Sequence, residues 1–135
     1  MKKQSEKTAE KFDYKTIKTF GDACKKENVD PEKLPDTSMI PEEFSKPIKA
    51  AYKLYIIFKA INNGCRPDWG NSNQYKYFPW YYMLSSGFGF DDSGCYFTDT
   101  DTFVGSRLCT DTSEKALYIA KQFEQEYKEF LLYSE

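Results

Sequence analysis

The residue types in this chain limit the chemistry that it can perform. Its 135 residues include no histidine, which is the most common general base and metal ligand near neutral pH. Ser-His and Cys-His nucleophile pairs therefore cannot form within the chain. The Gly87-Phe88-Gly89 segment lacks the further residues of a phosphate-binding loop. We expect a protein without a cofactor and favour one without enzymatic activity.

A run of acidic residues provides one alternative with catalytic potential. Asp99 and Asp101 alternate with threonines, and in a strand their side chains would point to the same side, about 7 Å apart. A third carboxylate would complete a Mg²⁺ site, as in a magnesium-dependent phosphodiesterase-type enzyme. The same alternation is typical of a solvated loop or a protected edge strand. We favour that second interpretation and predict no metal site.

Aromatic residues give the strongest indication of binding. Half of the chain's aromatic residues lie between positions 69 and 103. Strand alternation predicts two faces, formed by Tyr75, Tyr77 and Tyr81 on one side and by Phe78, Trp80 and Tyr82 on the other. Large apolar surfaces are seldom left in solvent, so one face should pack on the core. The other should meet a second layer, a partner protein, a planar ligand or stacked bases.

The candidate binding residues are Trp69, Tyr77, Trp80, Tyr82 and Arg107. Arg107 is one of two arginines, and its guanidinium is suited to an internal carboxylate, which we favour, or to an anionic ligand. Base stacking normally accompanies a basic groove, whereas the formal charge of the chain is −2. We therefore predict a non-enzymatic binding or assembly protein with a protein partner, with single-stranded nucleic-acid binding as the alternative.

The N-terminal segment differs in composition from the rest of the chain. Residues 1–18 contain six lysines and three acidic residues with few apolar ones, which predicts a flexible charged arm. Residues 19–135 then form a single α+β domain, because this length is ordinary for one domain. No apolar segment is long enough to cross a membrane. We expect a cytoplasmic protein with no membrane partner and with free thiols.

Three helices are predicted from caps and periodicity. The first begins after Thr19, with Asp22 in capping-box spacing, and ends near Asn28. The second begins at a Ser45 cap, ends at 62–64, and is apolar around so much of its circumference that it should be the central, buried helix. The third begins at an Asp111 cap and is amphipathic to the C-terminus. Residues 29–40 are predicted to form an ordered loop.

The strand-forming residues lie between the second and third helices. Pro79 cannot donate to a ladder, so the strand from Tyr75 should lie at an edge or break there. Further strands are predicted at 88–90, 95–98 and 103–109. The expected fold class is therefore α+β, with a small antiparallel β-meander of about three to four strands packed on the central helix and the C-terminal helix.

Four sequence segments also carry a resemblance to a known family. These are Arg-Pro-Asp-Trp at 66–69, Lys-Tyr-Phe-Pro-Trp at 76–80, Val-Gly-Ser-Arg-Leu-Cys at 104–109 and Lys-Gln-Phe at 121–123. In this order they resemble a family of small uncharacterised proteins found in gut bacteria and associated with their phages or integrated elements. The resemblance covers about residues 17 to 132. It implies a setting in phage or mobile-element biology and assigns no activity or catalytic residue.

Overall fold

The first helix, α1 (Phe20–Glu27), begins and ends as the sequence predicts. The computed structural model describes residues 11–71, 73–84, 87–91, 96–97 and 105–133. Thr19 Oγ1 accepts a hydrogen bond from the Asp22 amide at 3.1 Å, and Asp22 Oδ2 accepts one from the Thr19 amide at 3.2 Å. Asn28 then ends the helix in the left-handed conformation. The reciprocal capping box is therefore confirmed.

The second helix, α2 (Ser45–Asn62), is the centre of the fold. It packs against α1 and both C-terminal helices, and its side chains at Leu54, Ile57, Phe58 and Ile61 are fully buried. The predicted Ser45 cap is wrong, because a 3₁₀ turn over Glu42–Phe44 leads into the helix and the Ser45 hydroxyl lies 2.6 Å from that of Thr37. The predicted end is confirmed by left-handed Asn63.

The C-terminal segment forms two helices rather than one. They are α3 (Ser113–Gln122) and α4 (Glu124–Leu131), separated at Phe123, where φ is −115° and ψ is 31°. Phe123 is buried, so the change in direction coincides with an aromatic ring in the core. The predicted Asp111 cap is also wrong. Thr112 accepts from the Lys115 amide at 3.2 Å, while the Asp111 carboxylate accepts from Lys115 Nζ at 2.8 Å.

Four short strands lie between α2 and α3 in the described part of the chain. They are β1 (Lys76–Tyr77), β2 (Trp80–Leu84), β3 (Gly87–Asp91) and β4 (Tyr96–Phe97). The pairs β1–β4 and β2–β3 are both antiparallel, and Pro79 separates β1 from β2, as predicted. Mixed helix and strand content is therefore confirmed. A single sheet of three or four strands is not shown among the described residues, which form two separate two-stranded pairings.

The predicted strand over residues 103–109 is not observed where the structure describes it. Ser106–Leu108 form a 3₁₀ turn that begins after Gly105, whose φ is +66°. Among the residues described after 104, Thr110 forms a strand bridge and exchanges two backbone hydrogen bonds with Tyr77, at 3.1 and 2.7 Å. The β-favouring composition of this segment is thus overridden by a turn, because the chain must leave the strand region and enter α3.

Residues 11–18 pack against the helices. Ile17 is buried, the Tyr118 hydroxyl donates to its carbonyl at 2.8 Å, and Gln122 Nε2 donates to the Lys18 carbonyl at 2.8 Å. The described part of the predicted arm is therefore docked on α3. Residues 1–10 lie outside the described part of the chain.

Candidate binding groove

Trp69 lies in the loop that connects α2 to β1. Asp68 Oδ1 accepts from the Gly70 amide at 3.0 Å, which fixes the turn around the indole. The Trp69 side chain is 45% exposed. Lys76, although 1% exposed, places its Nζ 5.0 Å from the indole centroid and donates to the Asn71 carbonyl at 3.1 Å. The loop therefore presents a half-exposed aromatic ring supported by a buried cation.

A groove of about 530 Å³ runs beside this tryptophan, and we call it the Trp69 groove. Tyr55, Lys59 and Asn62 line it from the last turns of α2. Arg66 and Trp69 line it from the α2–β1 loop, Arg107 from the 3₁₀ turn before α3, and Glu27 from the end of α1. Its volume lies in the range of small-ligand sites. Two of the predicted binding residues, Trp69 and Arg107, therefore share one surface.

The charged side chains of the groove are mainly cationic. Within the described part of the lining, Lys59, Arg66 and Arg107 face one carboxylate, that of Glu27. Glu27 lies 3.2 Å from Lys26 Nζ and 3.8 Å from Lys59 Nζ. Neither arginine makes an ion pair with a carboxylate in the part of the chain that the structure describes, and both are exposed. The internal ion pair favoured for Arg107 is therefore not seen among those residues.

Asn62 links the two sides of the groove. Its backbone carbonyl accepts from the Cys65 amide at 3.0 Å, and its side-chain Nδ2 donates to the Cys109 carbonyl at 2.8 Å. Cys65 precedes Arg66, and Cys109 follows Arg107 by two residues. Asn62 is 9% exposed, and its Oδ1 has no hydrogen-bond partner. The buried Asn62 amide thus joins the end of α2 to the segment that follows Arg107.

The thiol nearest the groove is a poor nucleophile. Burial raises the pKa of Cys65, and the Asp111 carboxylate raises it further through its charge and a hydrogen bond. Burial also raises the pKa of Cys24. Since the thiolate is the reactive form, neither group is activated at neutral pH. Both are free thiols, in agreement with the sequence prediction, whereas Cys95 lies outside the described residues.

The other predicted binding residues do not line the groove. Tyr77 is partly buried, and its backbone pairs with Tyr96 on one side and with Thr110 on the other. Trp80 is 39% exposed, with its ring 6.4 Å from that of buried Phe78. The side chain of Tyr82 lies outside what the structure describes. The predicted site is therefore only partly brought together.

The two predicted aromatic faces are not maintained across Pro79. Tyr75 is largely exposed, whereas Tyr81, assigned to the same face, donates its hydroxyl to the Ala120 carbonyl at 2.6 Å and lies 4.9 Å from the Tyr127 ring. The strict alternation assumed an unbroken strand. Because β1 ends at Tyr77 and β2 begins after Pro79, the alternation of side chains is interrupted between them.

The magnesium hypothesis falls mostly outside the described residues. Asp99 and Asp101 belong to that part of the chain. Asp111, a possible third ligand, is paired with Lys115 at 2.8 Å. Among the residues that the structure describes, no three acidic or cysteine side chains are grouped as metal ligands.

Sequence reasoning missed the contribution of α2 to the groove. Tyr55, Lys59 and Asn62 look like ordinary helix residues in the sequence, and only the fold shows that they line the groove. One signal was available: Arg66 and Arg107 are the only arginines in a chain with 19 basic residues.

Comparisons with known proteins do not assign this chain to a family. The chain matches no family model, no curated protein and no solved structure. The resemblance to the phage-associated family therefore stays a prediction. No helix within the described ranges combines the length and the apolar character needed to cross a membrane.

Proposed function

We propose that this chain is a non-enzymatic binding protein that contacts a partner protein through the Trp69 groove. The observation that carries the proposal is the convergence of Trp69 and Arg107, which are distant in sequence, on one groove. Aromatic residues and arginine are the side chains most enriched at binding hot spots. An exposed aromatic ring lies beside two guanidinium groups that make no ion pair with a described carboxylate, and a partner would complete this arrangement.

Binding explains this surface better than catalysis does. The chain contains no histidine, and the pKa of Cys65, the thiol in the groove, is raised by burial. A site for nucleophilic or general-base catalysis needs a group whose pKa is adjusted towards the working pH. The groove instead supplies positive charge, an indole ring and a fixed backbone.

The biological setting in the proposal comes from the family resemblance alone. We place the protein in the cytoplasm of a bacterium, in a phage or mobile-element context. Sequencing of the flanking genes tests this part separately. Neighbouring genes for virion parts, replication or host takeover would support it, whereas an unrelated metabolic operon would contradict it.

The test of the binding proposal compares two tryptophans with similar exposure. The tagged wild-type chain and its Trp69→Ala and Trp80→Ala variants would be used to capture proteins from a bacterial lysate, with captured proteins quantified by mass spectrometry. Trp69→Ala should remove the specifically captured partner, while Trp80→Ala should retain it. Equal capture by Trp69→Ala and wild type, or the absence of any specific partner, would contradict the proposal.

A second candidate function is binding of single-stranded nucleic acid. The half-exposed indole of Trp69 beside Arg66 and Arg107 is the observation that favours it, because bases stack on such rings. In a Trp80→Phe background, Trp69 is the only tryptophan, so its fluorescence reports on the groove. Quenching by oligonucleotides that weakens steeply with salt would favour this function over protein binding.

A further inference from the structure

Both arginines of the chain line the same groove. Arg66 follows α2 and Arg107 lies in the turn before α3, yet every other basic residue in the chain is a lysine. A lysine would supply the same charge at either position. Arginine differs because its planar guanidinium offers a rigid fork of donors that matches a carboxylate with two parallel hydrogen bonds. The residue type thus points to recognition of a planar anion.

No carboxylate that the structure describes forms a salt bridge with the guanidinium group of Arg66 or Arg107. Glu27, the one acidic residue among the described groove lining, is directed to Lys26 and Lys59. The groove therefore has two exposed guanidinium groups. Among the residues that the structure describes, no carboxylate forms a salt bridge with either of them.

The segments that carry the two arginines are joined by the fold. The Asn62 backbone carbonyl accepts from the Cys65 amide, and the Asn62 side chain donates to the Cys109 carbonyl, so Asn62 contacts the residue before Arg66 and the second residue after Arg107. Backbone segments that are already ordered lose less conformational entropy on binding than mobile ones. The two guanidinium groups can therefore serve as two separate binding points for one ligand with two anionic groups.

From this geometry we infer that the Trp69 groove recognises an acidic peptide segment of the partner, with one Asp or Glu carboxylate on Arg66 and a second on Arg107. The inference rests on the proposed function and names the partner chemistry. Two carboxylates balance the two arginines, neither of which has a carboxylate partner among the described residues, and Trp69 provides an apolar surface for the stems of the acidic side chains. A nucleic-acid strand fits less well, because its phosphates continue beyond the groove and the formal charge of −2 gives the chain no long-range attraction to a polyanion.

The experiment uses the full-length Trp80→Phe chain and follows Trp69 fluorescence at low salt. The probes are acetyl-tetraglutamate amide, its uncharged tetraglutamine counterpart and a short oligothymidylate. Tetraglutamate should bind at least about tenfold more tightly than the other two, because two charge-assisted contacts are at stake. Failure of tetraglutamate to bind, or tighter binding of oligothymidylate, would overturn the inference.

Conservative variants distinguish the effect of the guanidinium's paired hydrogen bonds from the effect of its positive charge. Arg66→Lys and Arg107→Lys retain the charge and should each weaken tetraglutamate binding by about tenfold. Lys33→Gln, an exposed change outside the groove lining, removes a charge and should stay within about twofold of the parent. If the Arg→Lys variants also stay within twofold, the arginines act only as point charges and the inference is wrong.

The inference and the proposed function fail in different ways. Loss of lysate capture in Trp69→Ala, together with no effect of either Arg→Lys change on that capture, would leave the binding function standing and remove the acidic-peptide inference. Capture that does not depend on Trp69 would remove both. Melting temperatures within a few degrees of wild type would show that each variant is folded.

Discussion

The central helix α2 has two regions with different chemistry. Its core side, represented by Leu54, Ile57 and Phe58, is apolar and fully buried against the other helices. Its last turns place Lys59 and Asn62 at the groove, where polar atoms and hydrogen bonds predominate. The core side is stabilised by non-directional burial, whereas the groove end depends on directed bonds to distant segments. Stability and ligand geometry are therefore separable along one helix.

The largest expected effect is on the core side. Phe58→Ala removes a fully buried ring that lies 6.4 Å from the Tyr127 ring, and it should lower the free energy of unfolding by about 3–5 kcal/mol. Tetraglutamate affinity of the folded fraction should remain within about twofold. Urea denaturation and Trp69 fluorescence measure the two quantities. A loss below about 1 kcal/mol would contradict the assignment of this face as the core.

A smaller effect on stability and a larger one on binding are expected at the groove end. Asn62→Asp replaces the Nδ2 donor by an oxygen facing the Cys109 carbonyl, and should destabilise the fold by about 1–3 kcal/mol. Because the bond to the segment after Arg107 would be lost and the new carboxylate would repel an anionic ligand, tetraglutamate affinity should fall about tenfold. Asn73→Asp, at an exposed loop position, is the matched control and should change neither quantity appreciably. Unchanged affinity in Asn62→Asp would show that this bond does not matter for binding.

The third prediction uses pH to weaken the core side. Burial raises the pKa of both Tyr81 and Tyr127 above the ordinary tyrosine value, which is about 10. Unfolded tyrosines lose protons as the pH rises past about 10, whereas the folded ones keep them. The contribution of these two tyrosines to the free energy of unfolding should therefore be constant below pH 10. Above pH 10 the free energy of unfolding should fall by at most about 1.4 kcal/mol per pH unit for each tyrosine.

Urea denaturation at pH 9, 10 and 11 measures this slope. Tyr81→Phe removes one titrating group together with its hydrogen bond to the Ala120 carbonyl. The variant should be less stable than wild type by about 1 kcal/mol at pH 7 and should show a shallower decline above pH 10. Parallel declines in the two proteins would contradict the role of Tyr81.

The features that could be predicted from the sequence depend on near neighbours. The Thr19–Asp22 capping box, the end of α2 at Asn63 and the break at Pro79 each follow from one or a few residues with strong backbone preferences. The break at Phe123 could not be predicted in this way, because helical periodicity continues through it and the turn accompanies burial of the ring.

The groove could be predicted only in part. Trp69 and Arg107 stand out by residue type, but nothing local indicates that they meet. Long-range contacts accompany their convergence: Asn62 donates to the Cys109 carbonyl, and Tyr77 pairs with Thr110. Tyr77 and Trp80 were chosen from an alternation that assumed a continuous strand, and the actual strands are too short for that pattern to specify a common face.

The buried position of Lys76 has a practical consequence for chemical footprinting. Its Nζ lies over the Trp69 ring and donates to the Asn71 carbonyl, so the amine is screened from solvent although most other described lysines are not. An acylating reagent should therefore modify Lys76 only when the loop before β1 opens. Its modification rate, resolved by peptide mass spectrometry, would report how often the tryptophan side of the groove comes apart, and a bound partner should slow that rate.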